Sequence, residues 1–165
     1  MIPGIITVRT SSSRLPNKCL LPFGKDTNVI QHIIRRCKLY EIKPIVCTSI
    51  DSSDDVLIEI AIAEGVKYFR GSLKNKLKRW ADCCNEFGID SFHSVDADDP
   101  FFDGELMKGS MRLLSEGYDV ICPTESSSAG SASVGFSLTS EIICKAVELT
   151  DTDTDTEMMW YYLEK

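Results

Sequence analysis

Short apolar runs alternate with stretches of helical spacing along most of this chain. Ile2–Val8, Pro44–Thr48, Val66–Phe69, Ser91–Val95 and Asp119–Cys122 are brief and rich in Val, Ile or Phe, the composition of buried strands. Between them, Asn28–Tyr40, Ser53–Glu64, Ser72–Phe87 and Gly104–Glu116 carry apolar residues at the three-to-four spacing of amphipathic helices. Gly65, Gly88 and Gly117 each follow a helical stretch, where a left-handed C-terminal cap is expected. The β-α-β-α order predicts a mainly parallel sheet with helices on both faces, whose ligands bind at the carboxyl ends of the strands.

The pattern weakens after Pro123. Ser126–Ser133 reads as a Ser/Gly/Ala loop, Val134–Leu138 as a further strand, and Thr139–Leu149 as a helix capped by Thr139 or Ser140. Asp151–Thr156 repeats Asp-Thr three times and reads as a solvated acidic loop in preference to a cation site. Glu157–Glu164 has helical character and carries Trp160, Tyr161 and Tyr162, suited to docking on the chain's own core or on a second copy.

At 165 residues, with 43% apolar and 26% charged side chains, the composition is that of one globular domain. A net charge of −7 argues against a nucleic-acid-coating surface but leaves room for a local cationic pocket. No apolar run reaches membrane-spanning length, and the N-terminus lacks the architecture of a secretion signal. Seven cysteines, an odd number with no Cys-x-x-Cys pair, read as reduced thiols of a cytoplasmic protein. With His32 and His93 the only histidines, a zinc site is not expected.

Two loops carry chemistry. Arg9-Thr-Ser-Ser-Ser-Arg14-Leu-Pro-Asn-Lys18 follows the first strand with three cations in ten positions. Small hydroxyl residues let backbone N–H groups approach a ligand, while Arg9, Arg14 and Lys18 suit phosphate oxygens. Neither Walker nor dinucleotide-fingerprint spacing is present, and a solvated strand-to-helix connection is the plain alternative. Asp96-Ala-Asp98-Asp99-Pro100 follows the fourth strand, and three carboxylates so close repel unless a cation joins them. Hard oxygen ligands there suit Mg²⁺ shared with substrate phosphates. An acidic helix-start loop is the alternative.

The segment Arg9–Lys18, continuing through Cys19-Leu-Leu-Pro-Phe-Gly24, resembles the Arg-x-x-Ser-x-Arg-Leu-Pro-Gly-Lys-x-Leu signature of cytidylyltransferases that activate acidic sugars. That family includes the CMP-Kdo and CMP-sialic acid synthetases, and the spore-coat polysaccharide SpsF-like branch looks nearest. Ser11 and Asn17 stand where glycines are common; Asn17 suits a left-handed turn, whereas Ser11 would be strained at positive φ. Asp98-Asp99-Pro100 is similar to the family's metal-binding loop, Thr48-Ser49-Ile-Asp51 to its Thr-Ser-Asp stretch, and Phe69-Arg70-Gly71-Ser72 with Leu77 and Arg79 to a further motif.

The resemblance implies a Rossmann-like α/β fold of the nucleotide-diphospho-sugar transferase (GT-A) type. It implies CTP and an acidic sugar as partners, Mg²⁺ as cofactor, and cytoplasmic polysaccharide biosynthesis as the setting. Arg14, Lys18 and Asp98 would carry catalysis. Arg9, Ser12, Ser13, Arg14, Lys18, Thr48, Ser49 and Arg70 would hold the nucleotide, and Asp98 with Asp96 and Asp99 the metal. Family members usually continue beyond this length through a Val-Asp-x-x-x-Asp-like motif and a pairing arm, and neither is found after Glu157. A homodimer and the activity of the 165-residue form are therefore open expectations. Two other readings remain: a metal-dependent glycosyltransferase using Asp96-x-Asp98 to hold a nucleotide sugar, and a non-catalytic nucleotide-binding or assembly domain.

Overall fold

The computed structural model describes residues 1–12, 15–123, 135–151 and 153–163. Six strands form one sheet in the order β3-β2-β1-β4-β6-β5: β1 (Ile2–Thr7), β2 (Ile42–Ser49), β3 (Lys67–Gly71), β4 (Ser91–Asp96), β5 (Val120–Ile121) and β6 (Phe136–Thr139). The first four run parallel; β6 is antiparallel to both β4 and β5. The helices are α1 (Val29–Leu39), α2 (Asp55–Ala63), α3 (Lys76–Phe87), α4 (Gly104–Leu114), α5 (Ser140–Val147) and α6 (Trp160–Leu163). None among the described residues is long and apolar enough to cross a membrane.

Alternation along β1 divides the core. Ile5 packs with Trp80, Phe92 and Ile143 beneath α3 and α5, and Ile6 packs with Ile33, Leu57 and Met107 beneath α1, α2 and α4. Both faces are therefore covered, which is why the strands read as continuous apolar runs. Pro44 is tolerated within β2 because β3 joins the ladder only at Ile45, so the missing N–H falls where β2 has a partner on one side. β2 also starts two residues before the predicted run, after Glu41 turns the chain with φ 59°.

Helix starts follow their caps. Asn28 and Gln31 exchange side-chain-to-backbone hydrogen bonds at the start of α1, and Asp103 accepts from Glu105 and Leu106 N–H at α4. Sequence spacing predicts α3 from Ser72, but the helix begins at Lys76 because the Asn75 side chain accepts from Lys78 N–H at 2.9 Å. Gly65 and Gly88 adopt the left-handed conformation expected after α2 and α3. All seven cysteines are free, five of them buried.

β1 is followed in the sheet by β2 and β3 on one side and by β4 on the other. Chain order reverses between β1 and β4, and their carboxyl ends lie side by side with Thr7 registered against Asp96. A crevice opens at such a reversal. What fixes its rim is Asp54, fully enclosed at the end of a 3-10 turn, Ser52–Asp54. One carboxylate oxygen accepts from Thr10 N–H and Thr10 Oγ1, both at 2.8 Å. The other accepts from Thr48 Oγ1 at 2.9 Å and from the N–H and hydroxyl of Ser49. One buried carboxylate thus ties the exit of β1 to the exit of β2. Burial opposes its ionisation, yet the hydrogen bonds from Ser49, Thr10 and Thr48 outweigh that and hold the carboxyl below its ordinary range.

The run Asp151–Thr156 exposes Asp151, Asp153 and Asp155, as the solvated-loop reading expects, but is anchored at its last residue. Thr156 is fully buried; its hydroxyl accepts from Leu77 N–H at 3.1 Å and donates to Asn75 Oδ1 at 3.2 Å. Asn75 Nδ2 donates to Thr150 Oγ1 and to the Asp151 carbonyl. The segment is docked on the first turn of α3. Behind it α6 packs inward, with Trp160 4.4 Å from the Phe136 ring, while Tyr161 faces solvent.

Asp54→Asn turns an amide N–H₂ toward at least one set of donors and should cost about 1–3 kcal/mol. Because the folded carboxyl is depressed, its contribution is complete above the unfolded pKa of about 3.9 and fades as pH falls through the folded value. Urea unfolding from pH 7 to pH 3 should show the wild-type advantage over Asp54→Asn shrinking with acidity. Asn75→Asp keeps the α3 cap but loses both N–H donors to the tail. Limited proteolysis should then cut faster between residues 148 and 158, with helical content unchanged.

Candidate active site

The crevice between the ends of β1 and β4 has a volume of about 640 Å³, within the range of small-ligand sites. Its floor is Thr7, Val8, Asp96 and Ala97, and its first wall is the loop that begins at Arg9. Thr10 organises that loop: its N–H and hydroxyl bind Asp54, and its carbonyl accepts from Ser12 N–H at 3.0 Å and Asn17 N–H at 2.9 Å. Asn17 takes the left-handed conformation, φ 58°, as its side-chain chemistry predicts. Ser11 does not share it, so serine in place of glycine brings no backbone strain there. The Cys19 thiol closes the loop's base by donating to the Arg9 carbonyl at 3.8 Å. Ser13 and Arg14, both predicted contacts, lie outside the described residues.

Lys18 follows the Asn17 turn and projects into the cleft, where Nζ lies 2.5 Å from Asp98 Oδ2. The acidic loop is held from behind by α1: His32 Nε2 donates to the Pro100 carbonyl at 3.0 Å and Arg36 Nε to the Phe102 carbonyl at 2.9 Å, with Phe102 buried. Asp99 caps the loop, accepting from Phe101 N–H at 3.2 Å, and it is not among the cleft-lining side chains. Asp96 is open to the cleft yet surrounded by protein. Desolvation raises its carboxyl above the ordinary range; Lys76 counters this, and Asp98, Asp99 and Glu157 add to it.

Thr48, Ser49 and Arg70 are not brought to this cleft. Thr48 and Ser49 are fully buried with their hydroxyls on Asp54. Arg70 braces the turn after β2, donating to the carbonyls of Ser49 (3.0 Å) and Asp51 (2.9 Å) and pairing with Asp55 at 2.8 Å. These three shape the site through the β2–α2 turn that carries Asp54.

Four charged residues that sequence reasoning did not assign to the site complete the lining: Lys76, Arg79, Asp155 and Glu157. Arg79 is buried, its guanidinium donating to the Ser72 carbonyl at 2.5 Å while Nε has no partner. Arg9 donates to the Leu73 carbonyl at 2.7 Å and pairs with Glu157 at 3.3 Å. Lys76 donates to the Glu157 carbonyl at 3.3 Å; burial depresses its ammonium, and Glu157 and Asp96 oppose that. The signal for Asp155 and Glu157 was absent from their own composition. It lies in Asn75 and Thr156, whose pairing across 81 positions places the tail.

Arg9, Lys18, Lys76 and Arg79 thus face Asp96, Asp98, Asp155 and Glu157 across one cleft. Cations so placed suit phosphate oxygens. The carboxylates suit a hard divalent cation: the Lys18 ammonium on Asp98 already stands where a positive charge is favourable. Among the described residues no three metal-ligating side chains converge, so such an ion would draw its remaining ligands from water and bound phosphate.

Comparison with known proteins agrees with this geometry. Residues 4–155 match the cytidylyltransferase family model. An uncharacterized protein of Methanocaldococcus jannaschii is 34% identical over 125 residues, covering 73% of this chain and 50% of that one. The spore coat polysaccharide biosynthesis protein SpsF of Bacillus subtilis is 31% identical over 108 residues, 62% of this chain and 45% of that one. The chain thus spans about half the length of the curated relatives it matches. Among solved structures, a cytidylyltransferase from Leptospira borgpetersenii superposes with a TM-score of 0.87 at 23% identity, covering 99% of this chain and 71% of that one. A CMP:2-keto-3-deoxy-manno-octonic acid synthetase complexed with CTP superposes at 0.74 with 13% identity, covering 99% and 86%. The fold is the Rossmann-like one expected of nucleotidyltransferases, and the chain belongs to the cytidylyltransferase family.

Proposed function

We propose that this chain transfers CMP from CTP to an acidic sugar, releasing pyrophosphate, in the cytoplasmic synthesis of a surface polysaccharide. The observation that carries the reading is the Lys18–Asp98 pair at the mouth of the β1–β4 crevice. A cation suited to phosphate and a carboxylate suited to a metal ion there meet in direct contact at 2.5 Å on the wall of the cleft a triphosphate would enter.

In this reading the acceptor hydroxyl attacks the α-phosphorus in line, the bond to the bridging oxygen breaks, and pyrophosphate leaves. Chemistry of this kind depends on positioning and charge stabilisation. Lys18 holds the triphosphate, with Arg9, Ser12 and, by the sequence resemblance, Ser13 and Arg14. Asp98, supported by Asp96, would hold Mg²⁺, which supplies Lewis-acid neutralisation of phosphate charge. Asp99 keeps the carboxylate loop in shape through its bond to Phe101 N–H. The loop 9–18 is suited to a free triphosphate more than to the diphosphate linkage of a nucleotide sugar, and the family match favours the same side.

Pyrophosphate release, measured from each nucleoside triphosphate with Mg²⁺ against a panel of 2-keto acid sugars, should depend on CTP and on one acceptor class. Lys18→Met and Asp98→Ala should each lower turnover by about 10²–10³-fold, the scale for losing one preorganised charge contact, with unfolding midpoints near wild type. Normal turnover in Asp98→Ala would overturn the metal assignment.

A further inference from the structure

The inner half of the cleft holds a charge arrangement that the Lys18–Asp98 pair does not explain. Arg9, Lys76 and Arg79 lie close enough that Lys76 feels the positive charge of both arginines and Arg79 that of Arg9. Arg79 is 1% exposed and bound to the Ser72 carbonyl, so it cannot swing away. Lys76 is the first residue of α3, with its ammonium over the Trp80 ring (Nζ to ring centroid 5.2 Å). Arg9 is fixed at one fork by the Leu73 carbonyl, and its other nitrogen is turned into the cleft. Three cations held this rigidly repel unless an anion sits among them. In this structure the balancing charges are the chain's own: the Glu157 carboxylate pairs with Arg9 at 3.3 Å, delivered by the segment Asn75 anchors, and both it and Asp96 act on Lys76 from nearby.

We propose that Arg9 and Lys76 form a second anion subsite, backed by Arg79, and that the Glu157 carboxylate occupies it until a substrate anion displaces it. The Glu157 side chain is 65% exposed, and an ion pair that open contributes little, so displacement is cheap. The anchors on either side, Thr156 and Met159, are buried and stay in place, so only the Glu157 side chain need move. The ligand is a phosphate or carboxylate group. Its two sources are the triphosphate tail of the nucleotide and the carboxylate of an acidic acceptor. The inference rests on the nucleotidyl-transfer reading for the natural ligand but not for the existence of the subsite.

Inorganic pyrophosphate, titrated calorimetrically into the full chain without divalent metal and at fixed ionic strength, probes the subsite directly. Glu157→Gln should bind it about two- to fivefold more tightly than wild type, the scale of an exposed ion pair removed. Lys76→Met should bind it about tenfold more weakly, and should reduce the gain from Glu157→Gln when the two are combined. Unchanged or weaker binding in Glu157→Gln, or wild-type binding in Lys76→Met, would overturn the proposal. Competition by CTP, by CMP and by a 2-keto sugar acid separates the sources: a Lys76-dependent effect of CTP but not CMP assigns the triphosphate tail, and one of the sugar acid assigns the acceptor. CTP that fails to bind while the pyrophosphate pattern holds would sink the nucleotide reading and leave the subsite standing.

Discussion

The Asp54 carboxylate is the constraint on which the cleft depends. Five donors from Thr10, Thr48 and Ser49 converge on its two oxygens, inside the protein where an ion without such partners would be prohibitive. Because the donors come from the ends of two neighbouring strands, satisfying the charge and aligning β1 with β2 are the same event. Thr10 then passes the order outward, since its carbonyl gathers Ser12 and Asn17 into the loop that aims Lys18. A loop that is to meet a ligand needs backbone held still without being buried, and the buried Asp54 carboxylate behind Thr10 achieves that.

The cleft itself is close to electrically balanced, in a chain with a net charge of −7. Cations meant for an anionic ligand would repel one another in its absence, and here each has an acidic or carbonyl partner: Lys18 on Asp98, Arg9 on Glu157 and Leu73, Lys76 on the Glu157 backbone, Arg79 on Ser72. The partners differ in how firmly they are held. Asp98 sits on a loop pinned by His32 and Arg36, whereas Glu157 reaches Arg9 through a side chain 65% exposed. That asymmetry separates a charge pair built into the rim from one that a ligand can replace.

Residues singled out from sequence divide by the same physics. Lys18, Arg9, Ser12, Asp96 and Asp98 lie where a strand ends into the crevice, and the apolar run before each made that position legible. Thr48, Ser49 and Arg70 also follow strand ends, but at β2 and β3, on the far side of β1 from the reversal. Strand order is not written in any single segment, so a strand-end position alone could not say which strands flank the cleft. Lys76 and Glu157 were invisible for a related reason: one falls inside a predicted helix, the other opens a segment of helical character notable only for its aromatic residues.

By itself the sequence determined the alternation of strands and helices, the helix cap at Thr139, the left-handed turn at Asn17, and the two charged loops that follow strand ends. Each of these is a local matter of hydrophobic period, side-chain hydrogen bonding or backbone sterics within a few residues. Only the tertiary structure decided that β6 runs antiparallel between β4 and β5, that Asp54 joins two strand ends, and that the acidic repeat folds back to bring Asp155 to the cleft wall. Those depend on contacts between residues tens of positions apart, such as Thr10 with Asp54 and Asn75 with Thr156. The Asp-Thr repeat is polar in composition; it is anchored because Leu77 N–H pairs with Thr156 and the Asn75 amide with Thr150 and the Asp151 carbonyl.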